Sequence, residues 1–402
     1  MTLSPARVPA TGVRRITATL YGYAFLDDFV LLYPVYALLF ADTGLSLWQI
    51  SSLFALWSLT GVLLEVPSGA WADAVSRRLL LWTGPLLTAV GFGLWVLVPS
   101  YWAFALGFVL WGAGGALGSG ALEALVYEEL DRIGAADRYP RVMGRSHAAR
   151  LMATVLAVGI AGPVFATGGY TAVGAASVLA ALLTAATATR FPEHRAPTTA
   201  GDRWTTTLRS GLAAARGDRA LRGALLLVPA VGAVWGALDE YTPLLVRETG
   251  VPDELVPYLI MLIWAGATAG SLLAGRAASL GTNGLAAVLA GAALALAVGA
   301  GVGTPAGLGL VALAFGGFQL ATVLADVRLQ HRIQDGERAT LTSVAGLGTD
   351  LSTVAVYGGY ALLGGAAAHG TVFALFAVPY LVTALLLTRA TGPRAGGSTA
   401  RR

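Results

Sequence analysis

Apolar residues in this chain gather in long runs, and polar residues are confined to the short stretches between them. A helix crossing the hydrocarbon of a bilayer needs about 20 mostly apolar residues, so each run predicts one spanning helix. In the first half the runs cover 16–40, 46–70, 79–98, 101–127, 144–166 and 170–189. In the second half they cover 221–245, 254–276, 282–302, 306–328, 341–364 and 370–389. The pattern predicts an all-α membrane protein with twelve transmembrane helices in two six-helix bundles, 16–189 and 221–389. A tail (1–15), a polar linker (190–220) and a second tail (390–402) complete the chain. Within the linker Trp204, Leu208 and Leu212 recur at i, i+4, i+8 beside arginines, which predicts a short amphipathic helix on the membrane face. The first run is longer than the core of a cleaved signal and carries Asp27-Asp28 at its centre, so it is expected to be retained.

Composition agrees with lipid as the main solvent. Of 402 residues 56% are hydrophobic and 12% charged, too much apolar surface for a soluble chain to hide. Little length is left for a soluble catalytic domain. The net charge of +4 does not point to nucleic acid, because the basic residues are sorted by topology. All 26 are arginine, and on the twelve-span reading 25 fall on one side, with Arg247 alone on the other. The positive-inside rule makes that side cytoplasmic, with both termini inside a cell (inner) membrane. There is no cysteine, which excludes disulfides and thiolate metal ligands.

Between the second and third runs stands Glu65-Val66-Pro67-Ser68-Gly69-Ala70-Trp71-Ala72-Asp73-Ala74-Val75-Ser76-Arg77-Arg78. This segment resembles the cytoplasmic loop signature of the major facilitator superfamily, a glycine, an aspartate four residues on, then a basic pair. Ala74 and Ser76 depart from that signature, replacing a basic residue and a glycine. The resemblance implies a two-bundle carrier with a cytoplasmic gate built on Gly69, Asp73, Arg77 and Arg78. In that scheme Asp73 faces the start of helix 11 near residues 339–341, and Arg77 meets Glu128, with Glu123 the second choice. Residues 65–69 and 119–125 also resemble a drug-efflux-like subgroup, and Gly159-Ile160-Ala161-Gly162-Pro163 is similar to part of a motif of proton-coupled exporters. Phe108-Val109-Leu110-Trp111 lacks the arginine that such exporters often carry on helix 4. A weak internal repeat fits two parallel halves: Arg132-Ile133 with Asp137-Arg138 recurs 200 residues on as Arg332-Ile333 with Glu337-Arg338.

The candidate chemistry is acidic. Asp27 and Asp28 fall at the middle of helix 1, Asp239 and Glu240 in helix 7, and Asp350 well inside helix 11, with Glu65, Glu123 and Asp326 nearer helix ends. A charge at bilayer depth costs at least about 2.5–3.5 kcal/mol, so such residues are expected to work. Low polarity penalises the ionised carboxylate, which suits these groups to exchanging protons. On a continuous helix 1, Tyr21, Phe25, Asp28, Leu32 and Tyr36 share a face, and on helix 7 Trp235, Asp239 and Thr242 do. Asp28, Tyr36, Trp235 and Asp239 are therefore expected to line a substrate cavity. No cation is expected at mid-membrane, which would suit protons, Na⁺ or cationic and neutral amphiphiles.

These features predict a secondary active transporter that exports small amphiphilic compounds against protons by alternating access. The alternative is proton-coupled uptake of a neutral or cationic metabolite; a non-transporting sensor or scaffold is the weakest reading. No cofactor or metal is expected, the coupling ion is expected to be H⁺, and a monomer in the bilayer with a small-molecule substrate is expected. An enzyme is not: His147, His194, His331 and His369 all fall at or beyond predicted helix ends, away from Ser119.

Overall fold

In a computed structural model the described residues are 10–194, 218–333 and 338–391, without the side chains of 10, 11, 65–74, 338–340, 390 and 391. The segment 195–217, which holds most of the linker and its amphipathic stretch, lies outside them, as do residues 1–9 and 392–402 of the two tails. No strand occurs among the described residues. Nine helical stretches there are long and apolar enough to cross a membrane.

The chain divides into two compact units. The first comprises residues up to Asp202 together with Pro252–Met261, and the second comprises Arg203–Val251 and Leu262–Arg402. The first unit contains α1 (Ala10–Asp27), α2 (Tyr36–Asp42), α3 (Leu47–Ala74) and α4 (Arg77–Leu97). It continues with α5 (Tyr101–Gly118), α6 (Ala121–Arg132) and α7 (Tyr139–Ala188). α7 carries two predicted runs in one stretch, broken only at Gly169, whose φ of 58° is open to glycine but strained for other residues. The second unit begins with α8 (Arg219–Asp239) and α9 (Thr242–Glu248). α10 (Val256–Ala277) crosses the division at Met261; α11 (Thr282–Gly301), α12 (Leu308–Gln330), α13 (Arg338–Gly364), α14 (His369–Leu375) and α15 (Val378–Thr391) complete the second unit.

Packing inside each unit depends on small residues at helix crossings. A Cβ on Gly84 would come within 2.7 Å of the Gly114 carbonyl, which sets the approach of α4 and α5. In the second unit a Cβ on Gly270 would lie 2.0 Å from the Gly316 carbonyl, between α10 and α12. Close backbone contact of this kind is the usual way for helices to associate in lipid, where burial of apolar groups drives little.

The predicted helix 1 is not continuous. Pro34 has no N–H and its ring crowds the carbonyl four residues back, and the chain leaves the helix between Asp28 and Val35. The Leu32 N–H donates instead to Ser177 Oγ on α7 at 3.1 Å, in a fully buried setting. Three other predicted spans are broken as well, helix 4 at Ser119-Gly120, helix 7 at Glu240-Tyr241 and helix 12 at Phe376-Ala377. The helical faces drawn across Asp28–Tyr36 and across Asp239–Thr242 therefore do not exist as drawn.

Candidate functional site

Breaking helix 1 sets Asp27 at the last position of α1 and Asp28 just beyond it. A helix C-terminus presents unpaired carbonyls and partial negative charge, so two carboxylates there need a counter-cation. Arg150, about three turns into α7, supplies it: its Nη1 lies 3.1 Å from Asp27 Oδ2 and 3.2 Å from Asp28 Oδ2. The expectation of no cation at depth is thus corrected. The apolar pattern begins helix 5 at 144, which sets Arg150 in its second turn, near the interface, whereas α7 begins at Tyr139 and carries it further into the bundle. The three side chains keep 30%, 34% and 26% of their surface open, so this is a wet ion-pair centre rather than a dry one.

The opening is a cavity of about 350 Å³ whose lining includes Asp27, Asp28, Arg150, Glu123, Tyr33 and Trp111. Three carboxyl groups there face one guanidinium. Thr88 and Ser119 add hydroxyls. Tyr33 stacks on Trp111 at 5.6 Å, and Trp111 on Trp57 at 4.9 Å, which gives one wall an aromatic face. Tyr36 does not belong to this wall. It is 6% exposed and packs against Phe40, Phe54, Trp95 and Phe108, because the turn after Pro34 directs it into the core of the unit.

At the arginine-rich end of the same unit, Arg77 Nη1 lies 2.6 Å from Glu128 Oε2. Four residues not anticipated, Ser76, Glu193, Glu129 and His194, gather beside it. Ser76 caps α4, accepting from the Leu79 N–H at 3.1 Å, and Glu193 accepts from the Arg77 N–H at 2.7 Å and from the Ser76 hydroxyl. A carboxylate suits this helix N-terminus. Glu129, 2% exposed, accepts from the His194 N–H at 2.7 Å and pairs with Arg132 at 3.0 Å. Arg78 reaches the Phe191 carbonyl at 3.5 Å. Gly69 and Asp73 lie within α3, but the Asp73 side chain and those of 338–340 are outside the described residues. A signal for the unanticipated group was present: a buried aromatic, Phe191, followed by Pro192-Glu193-His194 directly after a span.

In the second unit Asp239, at the end of α8, accepts a forked hydrogen bond from Trp264 Nε1 at 2.9 and 3.2 Å. Glu240 follows in the break, and its carboxyl forms no hydrogen bond or ion pair with another described residue. Trp235 donates from Nε1 to Thr322 at 3.1 Å. Its backbone N–H donates to the Tyr380 hydroxyl at 2.8 Å, and that hydroxyl donates to the Val231 carbonyl at 3.2 Å. Tyr380 is thus inserted into the i to i−4 ladder of α8, a recognised cause of helix bending. Asp350 is half-buried within α13. Trp264 and Tyr380 carried no pattern in the sequence that set them apart from packing aromatics.

Many helices apolar and long enough to span a bilayer, some broken beside charged side chains, mark a multi-pass membrane protein. The family model for the Major Facilitator Superfamily matches residues 17–357, and the chain belongs to that superfamily. No curated protein sequence matched the chain. Among solved structures it is similar to a mutant form of the nucleoside transporter NupG, at 13% identity and TM-score 0.77, covering 94% of this chain and all of that one. A D-xylose–proton symporter matches at 16% identity and TM-score 0.68, with 94% and 97% covered. A bacterial homologue of the human lysosomal transporter Spinster, inward-facing and unoccupied, matches at 15% identity and TM-score 0.66, with 96% of each chain covered. At these identities the likeness is one of fold.

Proposed function

We propose that this facilitator is a proton-coupled carrier whose coupling centre is Asp27, Asp28 and Arg150. One observation carries the reading: two carboxylates share a single guanidinium nitrogen at a helix break, open to a cavity. Protonation of either carboxyl frees Arg150 from it, and loss of the proton restores the pair, so the local charge is tied to the protonation state. Asp239, Glu240, Asp350 and Trp235 are proposed as the second unit's contribution to substrate and proton handling.

The topology we adopt counts α1 with α2, α5 with α6, α8 with α9 and α14 with α15 as single broken spans, and divides α7 at Gly169. That gives twelve crossings, with both termini cytoplasmic by the arginine distribution, in a cell membrane. Arg77, Arg78 and Glu128, with Gly69 and Asp73, then form a cytoplasmic gate, supported by the 2.6 Å contact of Arg77 with Glu128. Export of small amphiphilic compounds is the leading direction, supported by the efflux-like segments 65–69 and 119–125. The hydroxyls of Thr88 and Ser119 beside the ion pair support the second reading, symport of a polar metabolite.

Thermal-shift measurement of purified protein against amines, neutral amphiphiles and polyols at two pH values tests this. Compounds are expected to raise Tm by an amount that changes with pH, and the change is expected to vanish in Asp27→Asn/Asp28→Asn. Stabilisation independent of both pH and these substitutions would overturn the assignment.

A further inference from the structure

Beside the start of α7, against α1, the first unit opens into another cavity, of about 690 Å³. Its charged lining is Arg138, Arg141, Arg145 and Asp137, with Tyr21 of α1 across from them. All four charged residues are exposed. None of the three guanidiniums has a hydrogen bond or ion pair to another described residue, whereas Arg77, Arg132 and Arg150 of the same unit each hold a carboxylate. Three arginines against one aspartate leave an excess of positive charge. The excess sits at the N-terminal end of α7, where the helix dipole adds to it.

The arginines occupy i, i+3 and i+7, one face of the helix. Positions 152 and 156 continue that face, and Met152 and Leu156 are 58% and 48% exposed. Guanidinium groups therefore stand at the head of an uncovered apolar track. The positive-inside rule explains arginines at this end of the bundle. It does not explain three unpaired ones pooled on one wall of a cavity above exposed apolar side chains.

We infer that this groove binds the anionic phosphate headgroup of a membrane lipid, with an acyl chain along Met152 and Leu156. Guanidinium matches phosphate oxygens in a forked geometry, and basic pockets at the cytoplasmic end of spanning helices are suited to anionic headgroups. Free phosphate offers the same headgroup chemistry, but it makes no use of the apolar track.

Lipid binding by the full chain in detergent, followed by native mass spectrometry, tests the site with phosphatidylglycerol and phosphatidylcholine. Phosphatidylglycerol is expected to bind in preference, and Arg138→Gln/Arg141→Gln/Arg145→Gln to weaken it by about a hundredfold. Should the triple variant not fold, Arg141→Gln alone is expected to cost about fivefold. Met152→Ser/Leu156→Ser is expected to weaken phosphatidylglycerol while leaving any glycerol phosphate binding unchanged. An equal loss in Arg219→Gln/Arg222→Gln, exposed arginines of the second unit, would reduce the effect to general surface charge and overturn the site. Inorganic phosphate displacing phosphatidylglycerol at matching affinity would overturn the lipid assignment.

Discussion

Arg150 is the residue on which the proposed chemistry turns. It touches both aspartates through one nitrogen, so its removal leaves two carboxyls together at a helix C-terminus with nothing to offset them. Proton-driven flux in Arg150→Gln is expected to fall by about tenfold or more, the scale on which a charge partner within contact distance acts. Arg150→Lys is expected to restore only part of it, because a lysine offers a compact point charge rather than a planar fork. Flux assays in proteoliposomes check both, and wild-type flux in Arg150→Gln would remove the residue from the coupling centre. The acidic half of this centre was legible in the sequence, since Asp27-Asp28 stands out in an apolar run. Its basic half was not: Arg150 lies near a helix start, where an arginine is ordinarily interfacial. Only the true beginning of α7 at Tyr139, eleven residues earlier, carries it inward.

At the scale of elements, helix breaks matter more than helix lengths. The hydroxyl of Ser177 takes the Leu32 N–H that the broken helix 1 leaves over. Ser177→Ala is expected to cost about 1–3 kcal/mol, the penalty of an unpaired buried donor, seen as a lower Tm. An unchanged Tm would mean that the break is held some other way. Crossing geometry gives a second test. Gly270→Ala must push α10 from α12, at about 1–3 kcal/mol, while Gly291→Ala, with nothing within 4 Å of its Cβ position, should leave Tm unchanged or slightly raised. Equal effects of the two would mean that the close approach does not matter. Apolar runs predicted where helices lie but not where they stop being helical. Pro34 was the available signal for helix 1. Tyr36 was misplaced for the same reason, since its face was projected through a break. Similarly, Glu129, Glu193 and His194 read as ordinary charges outside a span. The capping by Glu193 and the contact of Glu129 with His194 join residues 65 and more apart in sequence.

For the whole molecule, membership of the superfamily follows from residues 17–357, and the loop signature around Gly69 and Asp73 already pointed there. That the chain is a succession of long apolar helices was legible because lipid imposes one length and one polarity on a spanning helix. Substrate and direction were not, because a carboxyl pair open to a cavity suits export and uptake alike. Coupling is the property that both directions share, and it is tested most directly by substrate-induced proton movement in proteoliposomes. Stabilising compounds from the thermal panel would be added to wild-type protein and to Asp27→Asn/Asp28→Asn, with pH followed inside the vesicles. The account predicts proton movement in wild type and none in the variant, which still exchanges substrate across the membrane. Proton movement of wild-type size in the variant would contradict it.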